Sequence, residues 1–179
     1  MQGGEFIVPP RSWRDIGQIA GSLRKSLGLN KQPRVPTVEI IEGVLDQRLN
    51  LLSFQVGSHK EMGSAEGYTC PNGTFIMLRE DVYEKACAGD PRARFTTIHE
   101  LGHWAMHTNI PLARASPNQR IAPYKLAEPQ ANQFAAEFLM PASFVSRTDA
   151  EADLMVRFGV SNEAARLRLI YLRKEGLIQ

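Results

Sequence analysis

The chain is 179 residues long, which suits one domain or one domain with a small appendage, and is enough to bury a hydrophobic core. Its composition, 43% hydrophobic and 22% charged, is ordinary for a globular protein, and a net charge of +2 gives no argument for nucleic acid or an anionic membrane as partner. Two cysteines, Cys70 and Cys87, are too few for a disulfide framework.

The first ten residues have neither a basic start nor a sustained apolar run, so we expect no signal peptide. No segment of the sequence approaches the ~20 apolar residues that a membrane span requires. We therefore expect a cytoplasmic location and no membrane partner.

The N-terminal half predicts two helices followed by a small antiparallel sheet. Ser12 and Asp15 form a capping-box pattern at the start of the first helix, and Thr37 is a candidate N-cap for the second. Between residues 49 and 79, apolar residues alternate with polar ones, and the pair Asn72-Gly73 is a strong hairpin signal. This pattern predicts antiparallel strands.

The next predicted helix begins at Asp90-Pro91, an N-cap followed by proline at the first helical position. It contains three of the chain's four histidines, His99, His103 and His107. The spacing His99-Glu100-x-x-His103 is that of zinc peptidases, because residues four apart lie on one helix face and both imidazoles can reach one ion. Glu100 lies ~100° round the helix from His99, where it can take a proton from water.

A catalytic zinc requires a third protein ligand, and the candidates downstream are Glu128 and Glu137. On one helix they point to opposite faces, ~180° apart. Glu128 shares its face with small apolar residues and Glu137 shares its face with glutamines, so we predict that Glu128 faces the metal. Alternatively, Glu128 only stabilises the helix dipole. Asn132 is a candidate to orient either Glu128 or an imidazole.

The segment from residue 108 to 127 has no clear periodicity, and it either borders the catalytic cleft or is a mobile surface loop. Within and before it, Tyr124 and His107 are candidate donors to a developing oxyanion. His107 alternatively has a structural or orienting role. A substrate in extended conformation is expected to pair with the strand predicted at Thr74 to Leu78.

The C-terminal segment resembles a helix-turn-helix. Thr148 to Glu151 forms a capping-box pattern, Gly159 is a predicted helix stop, and Ser161 is a predicted N-cap. Residues 147–179 contain six basic and five acidic residues, which neutralise few phosphates. We therefore expect no direct nucleic acid binding, and expect these helices to pack on the core or to dock a protein partner.

Three segments together resemble the ImmA/IrrE family of metallopeptidases. They are Arg94-Phe-Thr-Thr-Ile-His-Glu-Leu-Gly-His103, Glu128-Pro-Gln-Ala-Asn-Gln-Phe-Ala-Ala-Glu-Phe-Leu-Met-Pro141 and Arg157-Phe-Gly-Val-Ser161 with the residues up to Leu169. The resemblance covers roughly residues 92–179 closely and the N-terminal half only in layout. Pro129 is compatible with it if Glu128 lies in the first turn of its helix.

The resemblance implies an α+β fold, namely a mostly helical, zincin-like (gluzincin-like) minimal metallopeptidase with a small antiparallel sheet. We expect a peptidase domain at residues 1–146 and a C-terminal helical segment, helix-turn-helix-like, at residues 147–179. The resemblance also implies Zn²⁺ held by His99, His103 and Glu128, with Glu100 as general base.

The function that the resemblance implies is cleavage of a helix-turn-helix repressor encoded nearby, which releases bacterial stress, phage or mobile-element genes. The alternative is a catalytically weak or inactive toxin–antitoxin or regulatory protein that binds a repressor, or DNA, without cutting. Hydrolysis of a small molecule is a further alternative, because the metal motif sets the reaction and not the substrate.

Overall fold

A computed structural model of the protein describes residues 6–116 and 120–178. The helices are α1 (Trp13–Ser26), α2 (Thr37–Glu39, continued as a π-helix over Ile40–Arg48), α3 (His59–Met62), α4 (Glu80–Cys87), α5 (Pro91–His107), α6 (Ala127–Leu139), α7 (Glu151–Phe158) and α8 (Asn162–Lys174). The strands are β1 (Phe6–Ile7), β2 (Ser53–Gly57), β3 (Gly67–Thr69), β4 (Phe75–Arg79) and β5 (Ala113–Arg114). This is the mostly helical α+β fold that the sequence predicts.

Helix α5 carries the three clustered histidines and contacts α4, α6, β3 and β4. It begins as predicted: the Asp90 carboxylate accepts a hydrogen bond from the amide of Ala93 at 2.9 Å, and Pro91 is the first helical residue. Its buried residues lie on several faces, including Ile98, Leu101 and Met106. A helix buried in this way holds its polar side chains rigidly.

Helix α6 packs against α5 along much of its length. A Cβ atom added at Gly102 of α5 would lie 2.9 Å from Cδ1 of Phe134 on α6, so the absence of a side chain lets the two helices approach closely. Leu126 is the N-cap of α6, which makes Glu128 its second and Pro129 its third residue. The proline thus lies in the first turn, as its chemistry requires.

The three-stranded sheet has the order β2-β4-β3 and is mixed, which corrects the prediction of a purely antiparallel sheet. The Asn72-Gly73 turn does join an antiparallel pair, with Tyr68 opposite Met77. Strand β2, however, runs parallel to β4, with Gln55 opposite Met77. The chain passes from β2 through α3 to the far edge before the hairpin returns β4 to the centre, and the alternation of apolar residues carries no information about that crossover.

Some predicted helix starts are correct and others are wrong. Ser12 caps α1 through a capping box with Asp15, as predicted. Thr37, by contrast, is the first residue of α2, with its hydroxyl buried and unpaired among the described residues. Helix α7 begins after Ala150 and not at Thr148, because residues Ser146 to Asp149 form a separate turn closed by a side-chain hydrogen bond.

Helices α7 and α8 pack on the same hydrophobic core as the rest of the chain. Gly159 lies between them with φ of +66°, which ends α7 as predicted, and Ser161 caps α8. The buried guanidinium of Arg94 on α5 donates hydrogen bonds to the carbonyl oxygens of Phe158 and Gly159, both at 3.1 Å. The helix-turn-helix-like segment is therefore attached directly to the histidine-bearing helix, while the boundary at residue 146 stays a prediction.

None of the helices in residues 6–116 and 120–178 is both long enough and apolar enough to cross a membrane.

A buried ion pair joins α8 to α6. Arg168, whose side chain is 1% exposed, donates to both carboxylate oxygens of Glu137 at 2.7 and 2.5 Å, and to the carbonyl oxygen of Met140 at 2.9 Å. Its charge and hydrogen-bond donors are thereby satisfied inside the protein, as a buried arginine requires.

Replacing Arg168 by methionine is expected to lower the free energy of unfolding by about 3–5 kcal/mol, because Glu137 would stay buried without its cation. The double variant Arg168→Met, Glu137→Leu should lose less, since no charge remains. Chemical denaturation followed by circular dichroism measures both. The exposed Arg166, also on α8, gives a matched control, and Arg166→Met should change stability by less than about 0.5 kcal/mol. Equal losses at the two arginines would contradict this assignment.

Candidate metal centre

Three side chains converge where α6 begins against the middle of α5. The Nε2 atoms of His99 and His103 are 3.0 Å apart. Glu128 places one carboxylate oxygen 3.1 Å from Nε2 of His99 and the other 3.3 Å from Nε2 of His103. The structure thus brings together the three residues that the sequence predicts as metal ligands, all offering nitrogen or oxygen donors.

This geometry fits a zinc ion. Zinc forms bonds of about 2.0–2.2 Å to imidazole nitrogen and carboxylate oxygen, so tetrahedral ligand atoms lie about 3.3 Å apart. The observed separations of 3.0–3.3 Å match that spacing. Two histidines and one glutamate leave a fourth position open, which is the ligand pattern of catalytic rather than structural zinc sites. The identity of the metal stays a prediction.

The protonation of the group also suits a cation. Hydrogen bonds from His103 and His99 hold the pKa of the Glu128 carboxyl far below its usual range, although burial opposes this shift. Burial alone would lower the pKa of His99, but the hydrogen bond that its protonated ring donates to Glu128, together with the charges of Glu100 and Glu128, raises it overall. The carboxylates of Glu100 and Glu128 place negative charge around the two imidazoles, and a bound divalent cation would neutralise that charge.

Asn132, one turn after Glu128 on α6, orients His99. Its Oδ1 lies 3.0 Å from Nδ1 of His99, so the imidazole donates its Nδ1 hydrogen there and directs Nε2 at the site. The sequence left open whether Asn132 orients Glu128 or an imidazole, and the structure shows the contact with His99.

The apolar neighbours of Glu128 and the glutamine neighbours of Glu137 predict that Glu128 is the more buried of the two carboxylates, and this prediction is wrong. The Glu128 side chain is 54% exposed, whereas that of Glu137 is only 12% exposed because it pairs with Arg168. Gln130, assigned to the polar face, is fully buried. The pattern within one helix shows neither the arginine 31 residues away nor the N-terminal segment that covers Gln130.

Glu100, the predicted general base, lies beside the metal group and lines the groove in front of it. The hydroxyl of Thr69 on β3 lies 2.7 Å from Oε2 of Glu100 and 2.9 Å from its main-chain carbonyl oxygen, and it shares its one hydrogen between these two acceptors. A Cβ atom added at Gly67 of the same strand would lie 2.6 Å from Cγ of Glu100, so only glycine fits there without a shift. Sequence reasoning missed Thr69 and Gly67, because no local pattern shows that this strand packs against α5.

The two candidate oxyanion donors are not brought to the groove. His107 is buried, its Nδ1 lies 3.0 Å from Nδ1 of His103 and its Nε2 lies 3.0 Å from Oε1 of Gln130, so both ring nitrogens are engaged. Burial lowers the pKa of His107 to about 4. Tyr124 lines a separate shallow pocket against residues 10–13. The oxyanion role predicted for these two side chains therefore gains no support from their positions.

The groove in front of the metal group has a volume of about 970 Å³. Its walls come from α5, α6, the β3 edge, α1 and α8. Apolar and aromatic side chains also line it, including Trp13, Phe95, Ala136, Leu167 and Tyr171. The C-terminal helix α8 is thus part of the same groove as the metal group, a position that the sequence did not predict.

The strand available for pairing with an extended ligand is β3 and not β4. The prediction that a substrate pairs with Thr74 to Leu78 is wrong, because β4 lies in the middle of the sheet with both edges occupied. Strand β3 lies at the sheet edge, and Glu66 and Gly67 at its start line the groove. The start of this edge strand is therefore part of the groove in front of the metal group.

A helix with the H-E-x-x-H spacing, a carboxylate from the next helix and an edge strand beside the groove define the class of H-E-x-x-H metallopeptidases. The family model of Peptidase M78, the IrrE N-terminal-like domain, matches residues 46–170, and the chain belongs to this family of metal-dependent peptidases. The resemblance to the ImmA/IrrE family is thereby confirmed, and it extends further toward the N-terminus than the motifs indicate. No curated protein and no solved structure matches the chain significantly.

Replacing Glu128 by alanine is expected to weaken zinc binding by at least about 100-fold, because it removes a ligand and not merely a group that orients one. Competition with a chromophoric chelator measures the affinity. Glu163 also lines the groove and is exposed, so Glu163→Ala is a matched carboxylate control that should bind zinc like the wild type. Equal affinities of the two variants would exclude Glu128 as a ligand.

Proposed function

We propose that the protein is a zinc-dependent endopeptidase that cleaves a helix-turn-helix transcriptional repressor and so releases the genes that this repressor controls. The observation that carries the proposal is the position of Glu100, which lines the groove beside the cluster of His99, His103 and Glu128. A carboxylate held next to three convergent metal ligands is the arrangement that metal-assisted peptide hydrolysis requires. The family supports peptidase activity, and the repressor is the substrate that the ImmA/IrrE resemblance implies.

The residues divide the work between binding and proton transfer. His99, His103 and Glu128 would hold the metal, and Asn132 would keep His99 in its binding orientation. When bound, zinc acts as a Lewis acid that polarises the scissile carbonyl and increases the acidity of water.

Glu100 moves the proton. Its Oε2 accepts the hydrogen bond from Thr69, which fixes the carboxylate in one orientation. We infer that Oε1 takes the proton from the attacking water and passes it to the amine nitrogen that leaves when the peptide bond breaks. The close approach of Gly67 limits movement of the side chain between these steps.

The groove supports a polypeptide as substrate. Its volume exceeds what a single residue occupies, and the edge of β3 offers main-chain groups to an extended segment. On the opposite side, Leu167 and Tyr171 of α8 offer apolar surface to side chains of that segment. A helix-turn-helix repressor would have to present an extended or locally unfolded stretch, since a helix has no free main-chain groups for pairing.

Direct DNA binding by α7 and α8 is a weaker alternative, because several residues of α8 line the peptidase groove. The near balance of basic and acidic residues also provides little phosphate neutralisation. Binding of a repressor without cleavage is the alternative that the following experiments distinguish.

The direct test incubates the purified protein with the helix-turn-helix protein encoded by the neighbouring gene, with and without zinc, and identifies fragments by mass spectrometry. We expect zinc-dependent cleavage at one or a few sites. Binding of the two proteins without any fragments would favour the non-catalytic alternative. Both results, cleavage and binding alone, are compatible with membership of the family.

Replacing Glu100 by glutamine is expected to reduce cleavage by about 10²- to 10⁴-fold, because glutamine cannot accept the proton. Zinc content should stay at the wild-type level, since Glu100 lies outside the three-ligand cluster. Glu84→Gln, at an exposed carboxylate of α4 that does not line the groove, is the matched control and should leave cleavage unchanged. Cleavage by Glu100→Gln at the wild-type rate would refute the assigned base.

Replacing Gly67 by alanine is expected to lower kcat while leaving zinc affinity intact, because the new methyl group would displace the Glu100 side chain and not the ligands. Gly21 on α1 has no atom within 4 Å of an added Cβ, so Gly21→Ala controls for the substitution itself. Steady-state kinetics and zinc titration measure the two quantities. A Gly67→Ala variant with wild-type kcat would show that β3 does not position the base.

A further inference from the structure

A chain of buried polar side chains runs from His103 to the N-terminal segment. Nδ1 of His103 lies 3.0 Å from Nδ1 of His107, and Nε2 of His107 lies 3.0 Å from Oε1 of Gln130. Nε2 of Gln130 lies 3.0 Å from the carbonyl oxygen of Pro9 and 2.7 Å from that of Tyr124. His107 is 5% exposed and Gln130 is fully buried, so water does not compete for these contacts.

The two carbonyl oxygens determine the direction of every hydrogen bond in this chain. A carbonyl oxygen can only accept, so the Gln130 amide must direct its NH₂ group at Pro9 and Tyr124. Its Oε1 then faces His107 and accepts a hydrogen from Nε2 of that ring. The neutral imidazole of His107 consequently presents an unprotonated Nδ1 toward His103.

The same order fixes the tautomer of the metal ligand. Because Nδ1 of His107 accepts, Nδ1 of His103 must carry the hydrogen that lies between the two rings. Nε2 of a neutral His103 is then unprotonated and faces Glu128, 3.3 Å away, ready to bind a cation. His99 reaches the same state through one acceptor, Asn132, whereas His103 depends on two further side chains.

We propose that His107 and Gln130 are positioning residues that fix the tautomer and ring orientation of His103 and anchor this ligand to the backbone at Pro9 and Tyr124. The proposal rests on the metal-binding part of the proposed function. It accounts for the burial of His107 and of Gln130, which the groove itself does not use. It also gives the N-terminal segment a role, because Pro9 supplies one of the two acceptors that set the order.

Two substitutions of His107 separate the two ring nitrogens. Asparagine places an amide group near the position of Nδ1 and can still accept from His103, whereas glutamine places its amide near Nε2 and leaves His103 without that acceptor. We expect His107→Gln to weaken zinc binding by about 10- to 100-fold, the range typical of residues that orient a ligand, and His107→Asn to stay close to the wild type. The absorption spectrum of the Co²⁺-substituted protein should change in the glutamine variant and not in the asparagine variant.

Gln130→Met provides a second test that does not alter a histidine. It removes the acceptor for His107 at nearly constant length, so zinc affinity should fall by about 10-fold. Gln133→Met, on the same helix, is the matched control and should bind zinc like the wild type, because Gln133 donates to Glu137 and not toward the histidines. Circular dichroism establishes whether each variant is folded. If His107→Gln is not folded, the zinc affinities of Gln130→Met and Gln133→Met decide whether the positioning role holds.

The outcomes distinguish this inference from the proposed function. Equal zinc affinities for His107→Asn and His107→Gln, or for Gln130→Met and Gln133→Met, would overturn the positioning role while leaving the metal site intact. A wild-type protein that binds no zinc would overturn both. Loss of affinity confined to His107→Gln and Gln130→Met would establish the ordered chain of hydrogen bonds.

Discussion

The contact between α5 and α6 is the constraint on which the site depends. Gly102 lies between the two histidines on α5, and the ring of Phe134 occupies the space that any side chain there would need. Because the helices approach this closely, the first two turns of α6 place Glu128 and Asn132 within hydrogen-bond distance of His99. A wider separation of the helices would leave two histidines without a third ligand. The glycine inside the H-E-x-x-H motif is therefore required for His99, His103 and Glu128 to come together.

Buried arginines fix the helices that surround this contact. Arg24 donates to the carbonyl oxygen of Phe138 at 2.6 Å, Arg168 donates to that of Met140, and Arg94 donates to the carbonyl oxygens at the end of α7. Each guanidinium thus satisfies carbonyl groups at a helix C-terminus, where the helix itself has no donors left and where the dipole favours a positive charge. The consequence for function is that α8 is held as a rigid wall of the groove and not as a mobile appendage.

Features set by neighbours in sequence were predictable, whereas features set by distant partners were not. The caps at Ser12, Asp90 and Ser161 and the stop at Gly159 were read correctly, because each depends on a few adjacent residues. The parallel pairing of β2 with β4 and the burial of Glu137 by Arg168 depend on parts of the chain that no local pattern connects. In the site, helical spacing predicts His99, His103 and Glu100 as candidate functional residues. The contact of β3 with Glu100 becomes visible only in the three-dimensional structure. The same limit applies to the candidate oxyanion donors Tyr124 and His107, because helical spacing and loop position do not show whether a side chain lines the groove, and neither of these two does.

Three carboxylates on α5 and α6 differ in the groups that interact with their negative charge, and this difference distinguishes them from one another. Arg168 holds Glu137 in a buried ion pair that joins α8 to α6. Glu128 faces two imidazoles and gains most from a shared cation. Glu100 receives a hydrogen bond from the Thr69 hydroxyl, a neutral donor, and among the described residues it forms no ion pair with an arginine or lysine. A carboxylate that forms an ion pair with a guanidinium loses that ion pair when it is protonated. A carboxylate that accepts a hydrogen bond from a hydroxyl can keep that hydrogen bond whether it is ionised or protonated. The sheet edge thus fixes the position of Glu100 and leaves its negative charge without a cationic partner among the described residues, which suits the proton transfer proposed above.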